Sequence, residues 1–318
     1  MSSETKVVTD IFRQLFSPYV EWSQTVDWWS LFRLTRLHMF PIGSDVSAAP
    51  CLWGVLMAAH SVGDQPLGTV ARLLALWSFA QVVSHSTGCV LDDIHDRDLD
   101  GLVERSKKRP LPAGSVTLRQ AIFLAMTLHA VLIGTLSVFG LLVLYISLVE
   151  IVFFGWTYPL MKRWTYWPQA WLGLTFGWGI LKGWLSLDRG SCNAFAIGTL
   201  WLGNICWAIC YDTIYACQDR EDDVTAGIKS TALLFGDSVR IILSLFAAGF
   251  VTCLAFAGVF NAQGPWYFII SVGGAAAHMT WQLYTVEFSS REDCFSKFKS
   301  NGELGYIITL GLLCDYLL

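Results

Sequence analysis

Charge is what this chain is shortest of. Among 318 residues only 14% are Asp, Glu, Lys or Arg, against roughly 25% in ordinary soluble domains, and that deficit excludes a soluble globular protein. With 54% hydrophobic residues and a mean hydropathy of +0.50, the composition is that of an integral membrane protein. The first thirty residues lack the Arg-rich, acid-poor character of a mitochondrial transit peptide, since they include Glu4, Asp10, Glu21 and Asp27. They also lack a basic segment followed by an apolar core for secretion. The nine cysteines contain no C-x-x-C pair; Cys206 and Cys210 stand one helical turn apart without His nearby, so they read as small buried hydrophobes. The D-G-x-x-A-R pattern of CDP-alcohol phosphotransferases is missing as well.

The few charges that are present are concentrated. Asp92-Asp93-Ile94-His95-Asp96-Arg97-Asp98-Leu99-Asp100 puts five carboxylates into nine residues directly after a long apolar segment. On a continued helix Asp92, Asp96 and Asp100 would stack along one face, about 6 Å apart. Like charges so stacked need a counter-cation, and hard oxygen ligands suit Mg²⁺, which is commonly held by carboxylates together with substrate phosphates. A bland acidic loop explains one such run. It does not explain the second, Asp212-Thr213-Ile214-Tyr215-Ala216-Cys217-Gln218-Asp219-Arg220-Glu221-Asp222-Asp223, which again ends an apolar segment.

Both clusters contain D-R-x-x-D, at Asp96 and at Asp219, 123 residues apart. Each is followed by a Gly, a basic stretch and another apolar segment: Gly101 with Lys107-Lys108-Arg109, and Gly227 with Lys229. The pattern predicts an internal duplication, with two carboxylate clusters facing each other across one cavity.

The expected fold is all-α: a single domain over 1–318, built as two pseudo-repeated four-helix halves around a central cavity. Spans are expected near 41–60, 68–90, 119–138, 140–158, 168–187, 194–213, 241–260, 266–287 and 303–318. That is nine helices, or eight if the weak last segment does not cross. Residues 1–40 form an N-terminal interfacial segment with Trp22, Trp28, Trp29 and Phe32 on an amphipathic helix. Asp-rich loops are expected near 91–118 and 212–240.

Most basic residues outside the spans then fall on one side, among them Arg33, Arg36, Arg105, Lys107, Lys108, Arg109, Lys162, Arg163, Lys229 and Arg240. The other side receives Arg72 and Arg189, with Lys182 inside a span. The rich side, which carries both acidic clusters, is the cytosolic one by the positive-inside rule. Singly, a juxtamembrane Lys or Arg binds lipid headgroups; opposite Asp-bound Mg²⁺, together they make a site for a diphosphate. Trp164, Tyr166, Trp167, Trp171, Phe176, Trp178 and Trp184 cluster about the fifth span, as interfacial packing or as π faces able to stabilise a carbocation.

These motifs resemble the UbiA superfamily of intramembrane prenyltransferases, especially its 4-hydroxybenzoate polyprenyltransferase-like members, over nearly the whole chain. Its signature N-D-x-x-D-x-x-x-D corresponds to Asp92 through Asp100, with Asp92 in place of the opening Asn, followed by Arg105 to Leu111 for R-x-x-x-R-P-L. The second signature corresponds to Asp212 through Asp223 and Gly227-Ile228-Lys229-Ser230-Thr231-Ala232. Tyr158-Pro159, Lys162-Arg163-Trp164-Thr165, Pro168-Gln169 and Arg33-Leu34-Thr35-Arg36 agree too. Before Pro41-Ile42-Gly43 the family usually has Lys, where this chain has Met39-Phe40, a departure on the acceptor side of the pocket.

The resemblance implies Mg²⁺-assisted ionisation of an isoprenoid diphosphate and attack by an electron-rich aromatic carbon. Asp92, Asp93, Asp96, Asp100, Asp219 and Asp223 would hold the metal. Arg105, Arg109, Lys162, Arg163 and Lys229 would meet the diphosphate, with Asp96, Asp219 and Lys162 central to catalysis. Arg36, Asp212 and Tyr215 are acceptor-side candidates. Likeness to fungal meroterpenoid-pathway members implies farnesyl diphosphate as donor, a polyketide phenol as acceptor, and an endoplasmic reticulum or similar endomembrane. Apart from these substrates and the lipid bilayer, no nucleic acid or protein partner is expected. The alternatives are a cyclase of the same superfamily, which needs no aromatic acceptor, and a divalent-cation transporter, which would place acids deep in several spans; Glu150 is the most obvious one here.

Overall fold

In hydrocarbon every backbone N–H and C=O must be satisfied within the protein, which leaves a chain this apolar the choice of helix or closed barrel. The computed structural model describes residues 26–188, 190 and 192–318, and among them every regular element is helical. Trp22 and Arg189 lie outside the described residues.

Helix α1, Trp28–Leu34, starts at Asp27, whose carboxylate accepts from Ser30 N at 3.1 Å. Trp28 and Trp29 are exposed and Ser30 and Leu34 buried, the one-sided pattern of an interfacial helix. α2 is Ser44–Val62 and α3 is Leu67–Asp100. α4, Leu118–Ser137, opens with a reciprocal cap between Thr117 and Gln120. α5, Leu141–Glu150, passes through a π turn, Ile151–Gly155, towards α6, Tyr158–Trp164. α7 is Pro168–Leu187 and α8 is Ala194–Ala216. The short α9, Arg220–Ala226, and α10, Thr231–Phe235, lead to α11, Val239–Phe260. A π turn, Tyr267–Val272, precedes α12, Gly273–Thr285, and α13 is Arg291–Leu317.

Among the described residues, five stretches are long and apolar enough to cross a membrane: Leu67–Asp100, Leu118–Ser137, Leu141–Trp164, Ala194–Ala226 and Thr231–Phe260. Helices α2, α7, α12 and α13 coincide with the other expected spans. α2 buries fourteen of its nineteen residues. By contrast α4 and α5 expose Phe123, Met126, Leu141 and Tyr145.

The tightest seam is between α2 and α7. A Cβ on Gly54 would stand 2.1 Å from the Ile180 carbonyl oxygen, and one on Gly183 would stand 2.2 Å from that of Cys51. Only glycine lets two backbones approach so closely, and such contacts substitute for the hydrophobic drive that lipid cannot supply. Polar bonds join the helices further: Asn204 Nδ2 donates to the Gly173 carbonyl at 2.8 Å, and Trp207 Nε1 to Asn301 Oδ1 at 2.9 Å.

One expectation is corrected. The carboxylates anticipated in loops near 91–118 and 212–240 sit on helical turns, because α3 continues unbroken to Asp100 and α8 passes through a 3₁₀ turn, Cys217–Asp219, into α9. Residues 101–117 do form a loop.

Candidate active site

The continuation of α3 past residue 90 realises the i, i+4, i+8 row: Asp92, Asp96 and Asp100 all border one cavity of about 380 Å³. The end of α8 brings Asp212 and Tyr215 to the same cavity, the 3₁₀ turn after it brings Asp219, and α9 brings Asp223. The two clusters therefore face each other across one space.

Cations return to the carboxylates from elsewhere in the chain. Lys162 on α6 donates to Asp96 Oδ2 at 2.6 Å and to Asp92 Oδ1 at 3.1 Å. In the loop after α3, Arg105 grips Asp219 with two nitrogens, Nε at 3.0 Å and Nη2 at 2.6 Å. Arg109 donates to Asp100 Oδ2 at 2.7 Å and to Asp93 Oδ1 at 3.2 Å. Burial opposes the charge on each arginine. The oxygens of Tyr215 and Asp219 around Arg105, and those of Asp93 and Asp100 around Arg109, more than offset it and hold both guanidinium pKa values above the usual arginine range. Both remain charged.

Three expected residues sit elsewhere than in the ring of carboxylates and cations. Asp93 is fully buried behind the wall, accepting from Arg36 Nη2 at 2.7 Å as well as from Arg109. Arg36 borders the cavity in a left-handed conformation at φ 60°. Arg163 is half exposed outside the wall; it donates to the His95 carbonyl at 2.8 Å and lies 3.9 Å from Asp96 Oδ1. Lys229 lines the wall, its ammonium 3.5 Å from the Trp164 carbonyl and its backbone N–H donating to the Lys162 carbonyl at 2.8 Å. That backbone bond ties the second cluster's loop to the helix carrying Lys162.

Among the described residues no three His, Cys, Asp or Glu side chains converge tightly enough to enclose a metal ion on their own. The donor set still fits Mg²⁺: six aspartates of the two clusters border one cavity, and Asp96 Oδ1 is buried there with no hydrogen-bond partner. A site of this kind leaves coordination positions for water and phosphate oxygens, the way Mg²⁺ is ordinarily held.

The aromatic wall is made by residues other than those anticipated. Of the cluster about the fifth span only Phe176 borders the cavity. Trp164, Tyr166 and Trp167 are exposed, Trp184 is buried in the core, and Trp171 donates to the Phe154 carbonyl at 3.2 Å. Tyr158, Tyr211, Tyr215, Phe295 and Phe298 take their place, with the Tyr215 and Phe298 rings 4.6 Å apart. Phe295 and Phe298 come from α13, whose role no local motif announced. At the inner end Gln81, Glu150 and Lys182 also border the cavity. The signal for the last two was present in the sequence, as charges in the middle of apolar spans.

An intramembrane helical bundle with two carboxylate clusters and converging cations at one end of a largely apolar cavity defines a class: a membrane enzyme for a metal-bound anionic substrate. The chain matches the UbiA prenyltransferase family over residues 47–305 and belongs to it. It is 41% identical over 281 residues to the mitochondrial 4-hydroxybenzoate polyprenyltransferase of Schizosaccharomyces pombe, covering 87% of this chain and 77% of that protein. It is 40% identical over 285 residues to the UbiA prenyltransferase claS of Ampulloclitocybe clavipes, covering 89% and 90%. Its fold is similar to that of a UbiA homolog from Aeropyrum pernix K1, with a TM-score of 0.71 at 22% identity over 87% of this chain and 99% of that one. A UbiA homolog from Archaeoglobus fulgidus bound to GPP and Mg²⁺ matches with a TM-score of 0.63 at 16% identity over 91% and 100%. The protein is a prenyltransferase.

Proposed function

We propose that this enzyme transfers a farnesyl group from its diphosphate to an aromatic carbon of a phenolic acceptor, with Mg²⁺, in secondary metabolism of the meroterpenoid kind. The observation that carries this reading is the division of one cavity into a carboxylate and cation end and a largely apolar, aromatic remainder. The relatives support it: one is named for 4-hydroxybenzoate, one is a fungal prenyltransferase, and a structural neighbour binds GPP with Mg²⁺.

Breaking the C–O bond of an allylic diphosphate leaves negative charge on the departing oxygen and positive charge on the allyl group. Bound Mg²⁺, held by Asp92, Asp96, Asp100, Asp219 and Asp223, would supply Lewis-acid neutralisation of that departing charge. Lys162, Arg105, Arg109 and Lys229 add fixed positive charge in a site shielded from water, where it acts more strongly than in solution. Lys162 now occupies Asp92 and Asp96, and Arg105 occupies Asp219, so donor binding exchanges carboxylate partners for phosphate oxygens. Asp93, which holds Arg36 and Arg109 from behind, orients cations in this reading. With Asp219 given to the metal in this reading, we assign acceptor orientation and proton removal to Asp212, beside Tyr158 and Tyr211 on the cavity wall. The aromatic faces shelter the allyl cation and exclude the water that would quench it.

We extend the reading to architecture: nine spans, two pseudo-repeated halves, and the carboxylate end facing the cytosol. In support, α3 with its loop and α4 repeats in order as α8 with its connection and α11, with D-R-x-x-D at the end of α3 and just beyond the end of α8. We also place the enzyme in the endoplasmic reticulum or a similar endomembrane, whereas several relatives are mitochondrial by name; cell fractionation decides between the two.

The test incubates membranes containing the enzyme with Mg²⁺ and farnesyl diphosphate, with and without 4-hydroxybenzoate and other phenolic acids, beside an Asp96→Ala control. A prenylated ring formed only with acceptor, and lost in the control, is expected. A terpene released without any acceptor would replace this reading with a cyclase.

A further inference from the structure

Resting on the prenyl transfer proposed above, we infer that the Glu150–Lys182 ion pair, with Gln81 beside it, is the floor of the donor cavity and limits the prenyl chain to about fifteen carbons. Glu150 on α5 and Lys182 on α7 form a salt bridge, and both border the cavity. The Lys182 ammonium also lies 5.9 Å from the centre of the Trp77 ring, and that indole donates to Ser186 Oγ at 3.0 Å. Gln81 Nε2 donates to Cys51 Sγ at 3.1 Å, and that sulfur packs against Gly179, three residues before Lys182 on α7. The group is thus a locked polar cluster. Ionised residues in mid-span are costly and, facing a cavity, mark function by default. Neither the metal nor the diphosphate end uses them.

Depth can be read along three helices. At 1.5 Å per residue, Gln81 lies about 22 Å from Asp96 along α3 and Lys182 about 20 Å from Gln169 along α7. The path from Glu150 to Lys162, taken as helical throughout, is about 18 Å. An extended farnesyl chain, twelve main-chain carbons joined by bonds of about 1.5 Å at tetrahedral zigzag, spans about 15 Å. With the diphosphate at the carboxylate end, that chain fills the distance to the floor. A twenty-carbon donor adds about 5 Å and would drive methyl groups between Glu150 and Lys182. Separating a buried ion pair by apolar atoms leaves two uncompensated charges, so the floor resists in a way that an apolar end wall, able to shift side chains, would not.

The experiment measures relative kcat/KM for C10, C15, C20 and C30 diphosphates with one accepted phenol, in the parent enzyme, the double variant Glu150→Ala/Lys182→Ala, and Thr175→Phe. Thr175 borders the cavity two turns before Lys182 on α7, so a larger side chain there raises the floor. Ratios between donors within one variant are insensitive to how much of it folds. The parent is expected to favour C15 over C20 by about tenfold or more. The double variant, which removes both charges together, should bring C20 to within about threefold of C15, and Thr175→Phe should shift preference to C10 by about tenfold. Equal use of C30 and C15 by the parent, or an unchanged C20 to C15 ratio in the double variant, would overturn the inference, the first by showing that the chain leaves sideways past His129 and Trp156. If the parent prenylates no phenol with any donor, it is the functional reading that fails.

Discussion

Lys162 on α6 and Asp96 on α3 are joined by a 2.6 Å ion pair. The same ammonium reaches Asp92 at 3.1 Å, so one cation holds two rungs of the carboxylate row. A donor carrying Mg²⁺ would free Lys162 to turn toward phosphate.

Lys162→Met removes that cation while keeping most of the apolar stem. Turnover should fall by about 10²- to 10³-fold, with a raised KM for the prenyl diphosphate. Steady-state kinetics against donor concentration check this. Parent-like turnover would remove Lys162 from the reaction.

Arg105 and Asp219 should behave as a unit because their contact is bidentate. Arg105→Lys keeps the charge but not the fork, and is expected to lower kcat/KM by about tenfold. In a double-mutant cycle, Arg105→Ala and Asp219→Ala should be non-additive by about 0.5–3 kcal/mol. Strict additivity would mean that the pair seen here has no part in the working enzyme.

Chelation with EDTA should abolish activity and added Mg²⁺ restore it. Asp92→Asn, which still offers a carbonyl oxygen to a hard cation, should retain most turnover, whereas Asp96→Ala should lose about 10²-fold or more. A titration of activity against free Mg²⁺ separates the two, since Asp96→Ala should also shift the midpoint upward.

The α2–α7 seam predicts a stability pattern independent of chemistry. Gly183→Ala forces a methyl to 2.2 Å from the Cys51 carbonyl oxygen, while Gly198 on α8 has nothing within 4 Å of an added Cβ. Thermal unfolding in detergent should show Gly183→Ala destabilised by about 1–3 kcal/mol or more. Gly198→Ala should be neutral or stabilised by up to about 1 kcal/mol. Equal behaviour of the two would contradict the packing described here.

Much of the site was legible because carboxylate spacing and helix period are local properties: once α3 is helical, Asp92, Asp96 and Asp100 must share a face. Asp93 shows the limit of that reasoning. It is as acidic as its neighbour, yet one step of helix rotates it behind the wall, where Arg36 and Arg109 engage it. The aromatic lining misled for a similar reason. Seven rings near the fifth span gave a strong compositional signal, but which side of a helix faces a cavity is set by its neighbours, and most of these rings found lipid or core instead.

The sequence by itself determined that the chain is helical and lives in a membrane, since hydrocarbon allows so apolar a backbone few other states. It also determined that two acidic rows need cations. Tertiary structure alone decided which cations: Lys162 meets a carboxylate 70 positions away, and Arg105 one 114 positions away. Tertiary structure alone also closed the inner end of the cavity with Glu150 and Lys182, 32 positions apart. Such pairings follow from how helices pack, and packing depends on close backbone approaches such as Gly54 against Ile180, which leave no periodic trace along the chain.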